Sequence, residues 1–141
     1  MKLDLGNVIL VYAVTAGVFF IIDLLWLGFA AKGLYQRHLG GLMRDQVNWI
    51  AAVVFYAVYI GGILIFVLIP ALQNETGIMR TAVMGALLGF FAYSTFDLTS
   101  LALMRNWTVA IAVVDIAWGT VLTGSTVAMA AWVIRAGFKI G

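Results

Sequence analysis

Cysteine is absent from the chain. Disulfides, thiolate metal sites, iron–sulfur clusters and cysteine nucleophiles are therefore excluded. Charge is scarce: Asp, Glu, Lys and Arg make up 10% of the residues, where an ordinary soluble domain carries about a quarter. No block of basic residues is dense enough for nucleic acid. Histidine occurs once, at His38, so there is no histidine cluster to hold a metal. No nucleophile motif or phosphate loop is present. Proline also occurs once, as Pro70 near the end of an apolar run, where it reads as a stop signal.

What the chain has instead is apolar surface. Hydrophobic residues make up 65% of its 141 positions, more than a globule of that size can hide. The chain belongs in a bilayer, as one domain with no linker. Four runs reach the roughly 20 residues a spanning helix needs: about 8–31, 49–72, 81–104 and 107–134. They lack the strict alternation of barrel strands. The first is too long for the core of a cleaved signal peptide. The expected fold is all-α, an integral membrane bundle of four transmembrane helices with both termini on one side.

The opposite side, the loop face, carries residues 32–48 and the short "RN" connection at 105–106. Lys2, Arg80, Arg135 and Lys139 fall on the terminal face, and Lys32, Arg37, Arg44 and Arg105 on the loop face. The even division gives no positive-inside bias. Trp49, Trp107 and Tyr35 are expected as anchors near the loop face, and Trp132 near the terminal face. Gly85 with Gly89, and Gly124 with Ala128, repeat small residues at a spacing that lets helices approach within the bundle.

The phrase "IIDLLWLG" at 21–28 is nearly repeated as "VVDIAWGT" at 113–120. Each sets an acid three residues before a tryptophan inside an apolar run. Counting from the loop face at 1.5 Å per residue, Asp23, Asp97 and Asp115 all fall roughly 10–12 Å deep. The matching position on the second run is Tyr56, with Tyr59 one turn deeper. Helical spacing puts Trp26 with Asp23, Tyr93 with Asp97, and Trp118 with Asp115 on shared faces. The direction of the runs sends Trp26 toward the loops and Trp118 deeper, to opposite sides of the acid layer. An aspartate facing lipid costs about 3 kcal/mol at a helix centre, so these stripes face the bundle interior. Three carboxylates this close repel, and protons or a cation must sit among them. The predicted site is a pocket of Asp23, Trp26, Tyr56, Tyr59, Tyr93, Asp97, Asp115 and Trp118. Above it lie Lys32, Arg37, His38, Arg44 and Arg105 as candidate headgroup contacts.

These phrases, with "AAVVFYAVYIGG" in the second run and "GFFAYSTFDLTSLAL" in the third, follow in an order that resembles a family of small bacterial membrane proteins. That family is catalogued as domain of unknown function 2177. The resemblance covers nearly the whole chain. It is carried most specifically by Tyr93, Phe96, Asp97, Leu98 and Thr99 and by the paired Asp-x-x-Trp phrases. It implies a four-span protein of a bacterial plasma membrane and implies no activity. Members are often encoded near enzymes that modify membrane fatty acids, such as cyclopropane-fatty-acid synthases, which suggests a role connected to lipids. One departure is "MRNWTVA", where relatives often have a proline after the tryptophan.

Three functions compete. In the first, a membrane lipid or other amphiphile places its headgroup at the basic loop and its chain past the aspartates. These would act as general acids or bases or hold a hard divalent cation. In the second, the acids mark a proton or cation path, the two Asp-x-x-Trp copies running antiparallel as in inverted repeats. Transport by four spans would require an oligomer, and near the terminal face only Thr123, Ser125 and Thr126 offer polar groups. In the third, the chain is a non-catalytic subunit of a larger membrane complex, and the acid layer has no purpose there.

Overall fold

The computed structural model describes residues 2–28 and 48–140. Among them are four long helices and no strand: α1 Leu5–Trp26, α2 Trp49–Gln73, α3 Ile78–Leu103 and α4 Val109–Gly137. Each is long and apolar enough to cross a membrane, with mean hydropathy between 1.4 and 2.7.

Side-chain caps, which apolar runs do not reveal, set the helix starts. Asp4 accepts from the Asn7 N–H at 2.8 Å, so α1 begins before Val8. Asn48 caps α2 through the Ala51 N–H at 3.2 Å. Thr108 caps α4 through the Ile111 N–H at 3.1 Å. Hence α4 starts at Val109 rather than at Trp107, and the α3–α4 connection is 104–108 rather than two residues. The expected end of the first span, together with Lys32, Tyr35, Arg37, His38 and Arg44, lies outside the described residues.

Pro70 does not stop α2. Its ring crowds the carbonyl one turn back and its nitrogen cannot donate. The helix widens into a π turn over Leu64–Leu68 and then continues to Gln73. It ends with Glu75 in the left-handed region, φ 52°, while the Thr76 N–H reaches back to the Ala71 carbonyl at 2.9 Å. Arg135 of α4 donates to the same carbonyl at 3.2 Å, so the C-terminal ends of α2 and α4 are tied together.

The closest helix pair is α3 with α4. A Cβ on Gly89 would overlap the Gly119 carbonyl, and one on Gly119 would overlap the Tyr93 ring. Gly85 meets Val127, and Gly124 meets Ala82 and Ala86. The small-residue stripes thus serve packing within the bundle, with Gly119 at the tightest point. The core around them holds Val11, Phe19, Ile60, Ile63, Leu68, Leu122 and Val127. The backbone of α2 comes nearest α3 and α4 at its π turn. Toward the loop face α2 leans on α1, where the Tyr12 hydroxyl donates to the Ala57 carbonyl at 3.0 Å. A cleft is left there between α2 and α3.

Gly89→Ala and Gly119→Ala should each cost about 1–3 kcal/mol, because backbone or a packed ring must move. Gly61→Ala, with open space around it, should leave stability level or slightly raised. Thermal unfolding followed by intrinsic tryptophan fluorescence in detergent checks this; a Gly89→Ala protein as stable as wild type would contradict the α3–α4 packing.

Candidate functional site

Asp23 is held by two donors from two other helices. The Tyr56 hydroxyl of α2 donates to its Oδ2 at 3.0 Å, and the Trp118 indole N–H of α4 donates to its Oδ1 at 3.3 Å. The carboxyl therefore joins α1, α2 and α4 at one point. Trp118 in turn stacks on Trp26, ring centroids 4.5 Å apart and planes 11° from parallel.

That stack corrects the expectation that the two indoles lie on opposite sides of the acid layer. Side chains on a helix tilt toward its N-terminus. The N-terminus of α1 is on the terminal face, so Trp26 and Asp23 tilt deeper. The N-terminus of α4 is on the loop face, so Trp118 tilts upward. Counting along the helix axes separates the rings; the opposed tilts bring them together.

The second part of the site belongs to the α3–α4 hairpin. Asp97 is fully buried, and neither carboxyl oxygen has a donor in bonding geometry among the described residues. Its polar neighbours are the Asp115 carboxyl and the Trp107 indole. The Trp107 N–H is also buried without an acceptor in bonding geometry. Two carboxylates have no hydrogen to offer one another, so the Asp97–Asp115 contact is attractive only with a proton or a cation between them. No group of three or more acidic or histidine ligands able to hold a metal occurs among the described residues.

A third polar contact lies deeper. The Tyr59 hydroxyl and Thr123 hydroxyl are 2.7 Å apart. Phe19 fills the space between Tyr56 and Tyr59, its ring 5.9 and 5.8 Å from theirs. Ser125 bonds to its own helix at Val121, and Thr126 is buried without a partner.

Two neighbouring spaces open from these residues. One, of about 170 Å³, is lined by Asp23, Trp26 and Leu27, by Tyr93 and Phe96, and by Trp107, Asp115 and Trp118. The other, of about 430 Å³, is the α2–α3 cleft. Phe55 and Tyr59 form one wall, Ala92, Tyr93 and Phe96 the other, and Asp115 lies at its inner end. Tyr93, Phe96 and Asp115 border both.

The structure thus gathers Asp23, Trp26, Tyr56 and Trp118 into one bonded group, and sets Asp115 and Tyr93 across the small cavity from it. Asp97 stands beside Asp115, outside the residues lining either space, and Tyr59 faces the cleft. Arg105 is exposed in the α3–α4 connection; Lys32, Arg37, His38 and Arg44 are outside the described residues. Sequence reasoning missed Phe55, Ala92 and Phe96 as site residues; Phe96 stands in the run that carries the family resemblance, while Phe55 and Ala92 give no signal beyond lying near a marked residue. It took Trp107 only as an interfacial anchor, yet its ring packs edge-on against Phe96 at 5.4 Å inside the site.

If Asp23 is a true three-helix junction, the Tyr56→Phe and Asp23→Asn substitutions should not add. The cycle should show a coupling of about 0.6 kcal/mol, with an upper range near 1.7 kcal/mol, typical of hydrogen bonds within membranes. Unfolding of the two single variants and the double variant measures it; strictly additive losses would contradict the bond.

Comparison with curated proteins and with solved structures gives no match. The family model described as a predicted membrane protein, DUF2177, matches residues 8–133, which take in most or all of each span and every described residue of the site. The chain belongs to that family.

Proposed function

We propose that the protein binds, or helps to modify, a membrane lipid or other amphiphile at its aspartate layer. The observation that carries this reading is the α2–α3 cleft. Its walls are aromatic and apolar, its volume of about 430 Å³ falls in the range of ordinary ligand sites, and its inner end is a carboxyl. A hydrocarbon chain could enter sideways from the bilayer and bring a polar head to Asp115 and Asp23. Arg105, with Lys32, Arg37, His38 and Arg44 of the loop, would meet the outer part of that head. In a modifying role the carboxyls would move a proton to or from the ligand. The family resemblance adds a bacterial plasma membrane as the setting.

A route for ions has less support. Beneath the acid layer the bundle is filled by Phe19, Ile60, Ile63, Leu68 and Leu122, all buried. A plain spacer subunit would need neither the cleft nor the acids.

Native mass spectrometry of gently extracted protein should show a co-purifying lipid or amphiphile. Ala92→Phe, which fills the cleft, should reduce its occupancy several-fold. Asp115→Asn and Asp23→Asn should reduce it in protein of unchanged fold. Wild-type protein without any retained amphiphile, and unaltered by the three substitutions, would overturn the proposal.

A further inference from the structure

The small cavity also says which head it fits, resting on the amphiphile reading above. We infer that its ligand presents an ammonium group: a primary amine or quaternary ammonium carried on an apolar chain.

Three observations support this. First, the cavity is bordered by two carboxyls, Asp23 and Asp115, and by the rings of Trp26, Tyr93, Trp107 and Trp118, with no Lys, Arg or His among its described lining residues. Aromatic faces are electronegative, and rings combined with acids attract organic cations. Of the two indole N–H groups that could welcome an anion, that of Trp118 is already engaged by Asp23, and that of Trp107 is buried beside the Asp97 carboxyl. Second, Asp97 stands behind Asp115, wholly buried and with no donor in bonding geometry on either oxygen among the described residues. It stands behind that wall rather than in it, and with a proton or cation shared between the two carboxyls the pair keeps the wall acidic. An anionic head would meet this wall with repulsion. Third, the cavity holds about 170 Å³, below the range of drug-sized sites and suited to a small head.

An inorganic cation fits less well. Hard metal ions require several oxygen ligands, and much of this lining is carbon. An alkylammonium needs fewer, and Tyr93, Phe96 and Asp115 border both spaces, so a chain passing these three residues would reach the α2–α3 cleft. The same chemistry is offered by a simple cationic amphiphile and by the ammonium end of a zwitterionic phospholipid.

The test uses full-length protein in lipid nanodiscs, titrated with dodecyltrimethylammonium, dodecylphosphocholine, dodecanol and dodecanoate, and read by saturable changes in tryptophan fluorescence. Dodecyltrimethylammonium should bind at least ten-fold more tightly than dodecanol or dodecanoate. Asp115→Asn should abolish most of that preference. Tetramethylammonium, a head without a chain, should compete with the cation in wild-type protein, which keeps the inference testable should the variant not fold. Dodecylphosphocholine binding like the cation would assign the ammonium to a zwitterionic lipid; binding like dodecanol would assign it to a cationic one. Saturable binding of dodecanol or dodecanoate as tight as that of the cation overturns the ammonium inference and leaves the amphiphile reading standing. Saturable binding of none of the four overturns both.

Discussion

A carboxyl inside a bilayer must find donors or a proton, and much of this structure follows from how Asp23 meets that demand. Unpartnered, it would cost about 3 kcal/mol at mid-membrane. It takes one donor from Tyr56 and one from Trp118. Those two bonds set the rotation of α1 against α2 and α4, because each helix must aim one particular side chain at the same point. The Trp26–Trp118 stack follows from that rotation, and with it a rigid aromatic wall at the loop-face end of the bundle.

The hairpin of α3 and α4 meets a different constraint. There, glycines allow backbone to touch backbone, with Gly89 under the Gly119 carbonyl and Tyr93 lying over Gly119. This closeness leaves Asp97 and Asp115 as neighbours, and Asp97 has no donor in bonding geometry among the described residues. The remaining helix, α2, is held at its deep end by the π turn that Pro70 imposes and by the Arg135 bond at Ala71. Its loop-face half follows α1 rather than α3. The cleft is therefore a product of the same contacts that hold the bundle together. Phe55 on one side of the cleft and Phe96 on the other are both exposed side chains.

Hydrophobic run length is enough to read four spans in the sequence, and helical arithmetic is enough to set three aspartates at one depth. Both are properties of a single helix, and both are local. Asp4, Asn48 and Thr108 shift helix starts by side-chain bonds that composition does not register. Pro70 reads as a stop, but a π turn absorbs it. The meeting of Trp26 with Trp118 depends on the tilt of side chains on antiparallel helices, which a count of residues ignores. Phe55, Ala92 and Phe96 are invisible for another reason: in a chain this apolar, a cavity wall and a lipid-facing surface use the same residues.

An experimental density map of the protein in lipid nanodiscs, at a resolution that shows side chains, tests the account most directly. It should contain a rod of hydrocarbon density between α2 and α3, leading past Tyr93 and Phe96 and ending in a compact head beside Asp115 and Asp23. A map in which α2 closes against α3 along its whole length, with lipid density only on the outer surface, would contradict it.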